Sequence, residues 1–163
     1  PIKAAELHVF LPHSLTIPKP LKLLYLNQNL DDAVINLLQD LGHCLLEADD
    51  LPQCEVLSKI WQPDLFLLKG DRQLLLTYLA NISQTEILAS LPILTMTKAS
   101  AVEIDWLKNQ FAGLNLHKCV EVNLEELDVN RAETLLMLHK SIAQAIGFRS
   151  SHLLTNIENF DSI

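Results

Sequence analysis

Histidine and cysteine side chains lie close together at two places in the sequence, and these residue types are common metal ligands. His43 is followed by Cys44, and His117 and Cys119 alternate along one apolar segment. Imidazole and thiolate groups bind zinc when four of them converge. Neither place has a second pair at a ligand spacing, so we favour cysteines that act as small buried side chains. We therefore expect no metal site and no cofactor.

Nucleophilic catalysis has little support in the sequence. It contains no G-x-S-x-G elbow, no P-loop and no G-x-G-x-x-G motif, and it has only 4 glycines with which to build a phosphate cradle. Its 3 cysteines cannot form a complete set of disulfides, which is typical of a reducing compartment. We therefore expect a cytoplasmic protein that is not an enzyme.

Composition and charge restrict the expected partners. The 163 residues are 49% hydrophobic and 20% charged, which is typical of one folded domain. The net charge of −8 argues against direct binding to nucleic acid or to an anionic membrane. No apolar run approaches the roughly 18–20 residues of a membrane span. Nucleic acid and a membrane are therefore not the expected partners.

Short apolar segments alternate with amphipathic segments from residue 21 onward. The predicted strands are Leu21–Leu26, His43–Glu47, Leu65–Leu68, Pro92–Met96 and Leu116–Val122. The predicted helices are one between Asp31 and Gly42, then Leu51–Trp61, Arg72–Asn81, Ser100–Phe111, and a last helix that begins between Asn123 and Asp128 and ends at Gly147. This alternation predicts a three-layer α/β fold of the flavodoxin-like type, with a parallel sheet in the order 2-1-3-4-5. Its site would lie at the carboxyl ends of the strands.

The segments at the two ends of the chain lack this alternation. Residues 1–20 contain three prolines after residue 11 and are interpreted as a lead-in or linker from an upstream region. Residues 21–149 are predicted to form the domain, and residues 150–163 a C-terminal tail. Because the chain begins at Pro1 rather than Met, we expect it to be a segment of a longer protein.

Four stretches at the strand ends carry a resemblance to a known family. They are KLLYLNQN (Lys22–Asn29), QPDLFLLK (Gln62–Lys69), LPILTMTK (Leu91–Lys98) and AGLNLHKCVEVNLEEL (Ala112–Leu127). In order and spacing they resemble the receiver domain of two-component response regulators. The likeness extends from about residue 21 to residue 147, and it implies the same flavodoxin-like fold.

The residues at the family's phosphorylation site depart from the family's chemistry. Asn27 and Gln28 stand where the family has two carboxylates that hold Mg²⁺. Lys69 stands at the phosphoacceptor aspartate, and Val120 at the lysine that pairs with the phosphate. Only Thr97 keeps the family's residue type, at the position of the switch threonine.

These departures imply a receiver that is not phosphorylated. Mg²⁺ requires hard carboxylate oxygens, and a lysine cannot accept the phosphoryl group as an aspartate does. The resemblance therefore implies a pseudo-receiver, similar to those of cyanobacterial clock-associated and other bacterial signalling proteins, which acts by protein contact or dimerisation. Two alternatives stay open. One is a sensor of a small ligand or redox cofactor such as a quinone; the other is an active receiver that uses Asp71 with a nearby acid, Asp31 or Asp32.

Lys69 and Asp71 each allow two interpretations. Lys69 either forms an ion pair in place of a metal, with Asp71 or Glu121, or extends into solvent. Asp71 is either a displaced phosphoacceptor or, as we favour, the N-cap of the helix that begins near Arg72.

Three residues are candidates for a switch or a contact surface. In receivers the usual contact surface is the face made by the fourth helix, the fifth strand and the fifth helix, so we expect a partner or a second copy there. Trp106 is a candidate anchor on that face, or else a ring lying flat over the neighbouring helix. Leu138, with Ala145, lies off the apolar stripe of the last helix and would extend the same patch. His117 stands at the family's aromatic switch position, or is an ordinary half-exposed strand residue.

Overall fold

The computed structural model describes residues 20–26 and 30–146. The predicted lead-in up to residue 19 and the whole predicted tail lie outside the described residues. The assignment of those two segments therefore stays a prediction.

Five parallel strands form one sheet in the order β2-β1-β3-β4-β5. The strands are β1 (Lys22–Leu26), β2 (Cys44–Ala48), β3 (Leu65–Lys69), β4 (Ile93–Thr97) and β5 (Leu116–Val120). With helices between the strands, this is the flavodoxin-like fold and the strand order that the sequence predicts.

Helices follow every strand of the sheet. They are α1 (Asp32–Asp40), α2 (Leu51–Trp61), α3 (Arg72–Ile82), the single turn α4 (Glu86–Ala89), α5 (Ala101–Gln110) and α6 (Arg131–Ala145). The sequence analysis did not predict α4. The expected contact face, named there by the fourth and fifth predicted helices, corresponds to α5, β5 and α6.

The last helix begins later than predicted. Instead of starting between Asn123 and Asp128, α6 starts at Arg131, after a 3₁₀ turn at Leu124–Glu126. The side chain of Asn123 accepts a hydrogen bond from the amide of Glu125 at 3.1 Å, which caps that separate turn. A short capped turn therefore separates β5 from the last helix.

The helices divide between the two faces of the sheet. α1 and α6 pack on one face, where they share an apolar core with Leu23 and Tyr25 of β1. α2, α3, α4 and α5 pack on the other face, against Leu24 and Leu26. Because both faces are covered, the central strands are continuous apolar runs, as the sequence predicts.

A glycine ends α1, also as predicted. Gly42 has a φ of 94°, in the left-handed region that L side chains rarely adopt. Its amide donates to the carbonyl of Gln39 at 2.9 Å, and the amide of His43 donates to the carbonyl of Leu38 at 3.2 Å. This pair of bonds is a Schellman motif, which turns the chain from α1 into β2.

The turn places His43 inside the core. Its side chain is only 6% exposed, and its Nδ1 accepts a hydrogen bond from the amide of Leu21 at 3.2 Å. Among the described residues, Nε2 has no hydrogen-bond partner. Burial, and then the nearby imidazole of His139 on α6, lower the pKa of His43 to about 4, against a smaller opposing effect of Asp64.

The low pKa of His43 predicts a loss of stability in acid. The unfolded chain has an ordinary histidine pKa near 6.5, so it binds the proton more readily than the folded chain. The contribution of His43 is complete above about pH 7 and is lost progressively as the pH falls from about 6.5 to about 4, by up to about 3 kcal/mol. Urea denaturation across this range measures the effect.

The variant His43→Asn is the control, because it does not titrate in this range. It is expected to be less stable than the wild type at pH 7.5, and to lose less free energy of unfolding on acidification. Equal acid losses in the two proteins would show that His43 does not carry the effect.

Candidate functional site

The carboxyl ends of the strands bring four charged side chains together. Lys69 is the last residue of β3, and Lys98 directly follows β4. Glu121 directly follows β5, and Asp31 is the residue before α1, in the connection after β1. They share one edge because all five strands are parallel.

Lys69 forms two ion pairs at this edge. Its Nζ donates to Oδ2 of Asp31 at 2.6 Å and lies 3.4 Å from Oε1 of Glu121. The ion-pair interpretation, with Glu121 as a partner, is therefore confirmed. Its alternative, a lysine that extends freely into solvent, is wrong, because the side chain is only 26% exposed. The sequence suggested Asp31 only as an acid for an active site, since nothing local links residues 38 positions apart.

The two carboxylates favour the protonated form of the lysine. The hydrogen bond from Lys69 to Asp31 raises the pKa of the ammonium, burial opposes that rise, and Glu121 adds to it. Lys98 extends toward the same group, with its Nζ at 3.9 Å from Oε2 of Glu121. The four side chains thus carry two positive and two negative charges, which cancel.

Asp71 caps a helix and is not one of the four clustered charged residues. Its Oδ1 accepts a hydrogen bond from the amide of Leu74 at 2.9 Å, and it is the N-cap of α3, as favoured from the sequence. Gly70 makes the turn between Lys69 and this cap. A Cβ at Gly70 would lie 2.9 Å from Cδ2 and 3.1 Å from Cβ of Leu74, so a larger residue would have to displace that side chain.

The side chain of Thr97 is buried and forms a hydrogen bond within the domain. It is 1% exposed, and its Oγ1 accepts a hydrogen bond from the amide of Ala99 at 3.0 Å, which stabilises the turn from β4 into α5. Val120 is paired with Thr97 in the register of β4 and β5. Asn27 and Gln28 lie outside the described residues.

An open depression of about 510 Å³ borders the ion pairs. Its lining is mainly charged and includes Asp31, Lys69, Lys98, Glu121 and Glu125. This lining suits a polar or charged group better than an apolar ring.

Trp106 lies against the neighbouring helix. The guanidinium carbon of Arg72, on α3, is 4.4 Å from the centroid of the indole ring, a cation–π arrangement. The ring keeps 36% of its surface exposed. This is the geometry of the alternative interpretation, a ring lying over the next helix, although one side remains open to solvent.

Leu138, with Ala145, and His117 are less exposed than Trp106. Leu138 and Ala145 are fully buried, so the expectation that they extend a surface patch is wrong. The buried side of α6 consists of Leu135, Leu138, His139, Ile142 and Ala145, because this side packs against α1 and the sheet. His117 is partly buried with its Nε2 at 2.7 Å from Oδ1 of Asn115, and burial, followed by Lys108, lowers its pKa.

The cysteines do not form ligand clusters in the part of the chain that the structure describes. There, no group of three or more His, Cys, Asp or Glu side chains is placed to hold a metal ion. Burial raises the pKa of Cys119, and it raises that of Cys54 to about 12, so both thiols stay protonated at neutral pH. No helix within the described ranges is long and apolar enough to cross a membrane.

Comparison with known proteins found similarity only at the level of solved structures. No protein-family model and no curated protein matches the chain. A fusion of the yeast Spc42 trimeric coiled coil with another structure aligns at a TM-score of 0.45 and 18% identity, over 87% of this chain and 91% of that chain. The solution structure of a response regulator protein from Burkholderia multivorans aligns at a TM-score of 0.40 and 18% identity, over 72% of this chain and 94% of that chain.

The ion pairs of Lys69 predict a measurable loss of stability when its charge is removed. Lys69→Met leaves two carboxylates close together without their shared cation, and we expect it to lower the free energy of unfolding by about 1 kcal/mol. Urea denaturation at neutral pH and low salt measures this loss, and added salt should reduce it.

Lys98→Met is the matched control, because it removes the same charge from a side chain that is 87% exposed. We expect a change of less than about 0.5 kcal/mol. If the two variants lost the same free energy of unfolding, the ion pairs of Lys69 would contribute no more to stability than the exposed charge of Lys98 does.

Proposed function

We propose that this chain is a non-phosphorylatable receiver-like signalling module, a pseudo-receiver, that acts by contact with another protein chain. The observation that carries the proposal is the Lys69 ammonium, held between Asp31 and Glu121 at the end of β3. The fold and the resemblance at the strand ends supply the context.

The ammonium opposes a divalent cation at this edge in two ways. It already occupies the carboxylates of Asp31 and Glu121, which are the oxygens a magnesium ion would need. It also repels a cation directly, by roughly 4 kcal/mol for each pair of unit charges at 4 Å near a protein surface. Without a bound metal, the site would lack the ion that holds the phosphoryl oxygens and neutralises the charge that develops during transfer.

A displaced acceptor at Asp71 is less well supported. The carboxylate of Asp71 accepts the amide hydrogen of Leu74 at the start of α3, so its role as a helix cap already accounts for an acid at this position. Asp31, one of the two nearby acids suggested for such a site, is paired with Lys69. A quinone-type sensor has no specific support either, because the depression at this edge is lined mainly by charged side chains.

The test is a titration with Mg²⁺ followed by beryllofluoride, a phosphoryl mimic, read by amide NMR shifts. We expect no saturable shift in the wild type at concentrations up to about 10 mM, because the ammonium excludes the metal. A saturable shift centred on Asp71 and Thr97 would overturn the proposal and identify a working phosphoswitch.

The variant Lys69→Ala is the positive control within the same fold. Removing the ammonium frees Asp31 and Glu121, so this variant should gain a magnesium response at the amides of both residues. No response in the variant would show that Lys69 is not what keeps the metal out.

A further inference from the structure

The outer face of α2 carries an apolar stripe. Pro52, Val56 and Ile60 follow one another at steps of four residues, so they lie above one another along the helix. Val56 is 54% exposed and Ile60 is 77% exposed. Two neighbouring β-branched side chains at this exposure form a patch rather than an isolated surface residue.

The stripe is not part of the core of the domain. The opposite side of α2 supplies Cys54 and Ser58, which are buried, and Leu51 and Leu57, which pack against the core. The packing of α2 on the sheet therefore does not depend on Val56 and Ile60, and both side chains remain open to a partner.

A pair of opposite charges runs beside the stripe. Glu55 and Lys59 are one turn apart, with Nζ and Oε1 at 3.6 Å and with side chains 42% and 62% exposed. An open depression of about 440 Å³, lined by Glu55, Lys59 and Glu86 among others, borders this flank and has room for an incoming side chain.

We propose that the outer face of α2 is the interface of a weak two-fold symmetric dimer of this chain. In an antiparallel pair of α2 helices, Val56 lies near the axis and Pro52 faces Ile60 of the partner subunit. On the flank, Glu55 faces Lys59 of the partner subunit, and the symmetry repeats this ion pair on both sides of the axis. A surface whose apolar stripe and charges complement a copy of itself fits the requirement of a two-fold interface.

The size of the patch sets the strength of association. Stable interfaces bury roughly 1,200–2,000 Å² in total, and one face of a three-turn helix is smaller than such an interface needs. We therefore expect a dimer that forms and dissociates with concentration. This interface goes beyond the proposed function: it does not depend on the Lys69 cluster, and neither test can decide the other.

Sedimentation velocity of the full chain, from about 10 µM to about 1 mM, measures the association. The wild type should shift from monomer to dimer across this range. Ile60→Lys, which places two ammonium groups in the apolar contact, should remain monomeric at least about tenfold higher in concentration. Val102→Lys on α5 is the matched control, because Val102 is equally apolar and 78% exposed but lies on another helix.

Exchanging the charges at positions 55 and 59 tests the interface itself, because a variant that merely misfolds would not regain association on mixing. Glu55→Lys alone and Lys59→Glu alone each bring like charges together across the interface, so each variant should dimerise more weakly than the wild type. An equimolar mixture of the two should associate again, since positions 55 and 59 are then both lysine in one protein and both glutamate in the other. Mixing cannot restore the ion pair within each helix, so regained association reports the contact between the two chains.

Three results would overturn the proposal. One is a wild type that stays monomeric over the whole concentration range. Another is a dimer that Val102→Lys dissociates and Ile60→Lys does not, which would place the interface on α5. The third is a mixture of the two charge variants that associates no better than either variant alone.

Discussion

A parallel sheet that is covered by helices on both faces leaves only its ends for polar chemistry. In this protein, alternate side chains of β1 and β3 enter two separate apolar cores, one beneath α1 and α6 and one beneath the helices of the other face. A charged group in the middle of such a strand would lose its hydration without compensation. The charged groups therefore collect where the strands end, and Lys69 occupies the last position of β3.

A lysine at that position changes what the edge of the sheet can do. A partly buried ammonium group needs a partner, and the segments after β1 and β5 supply the carboxylates of Asp31 and Glu121. The same oxygens would be required by a divalent metal, so the ion pairs and a metal are alternatives. The ion pairs also connect three segments of the sheet edge in one arrangement.

Most of the exposed apolar side chains in the described part of the chain lie on helices. Trp106 already stacks on Arg72, and Leu138 lies in the core, so two of the expected contact residues have partners within the domain. The helix α2 packs on β1 and β2, whereas α6 packs on β4 and β5. The surface proposed for self-association therefore lies near the edge strand β2, and the expected contact face lies near the opposite edge strand β5. A partner on one surface would not cover the other.

The sequence by itself determined the strands, the glycine stop of α1 and the cap at Asp71, because these depend on periodicity and on residues within about one helical turn. It also predicted the order of the strands, because right-handed crossovers leave few topologies for five alternating strands and helices. It also placed Lys69 at the carboxyl end of the third strand. It did not determine the partners of that lysine, the buried side of α6 or the orientation of Trp106. Only the tertiary structure decided these, because they depend on distances between segments that meet only when the sheet has assembled, such as the 38 positions that separate Asp31 from Lys69.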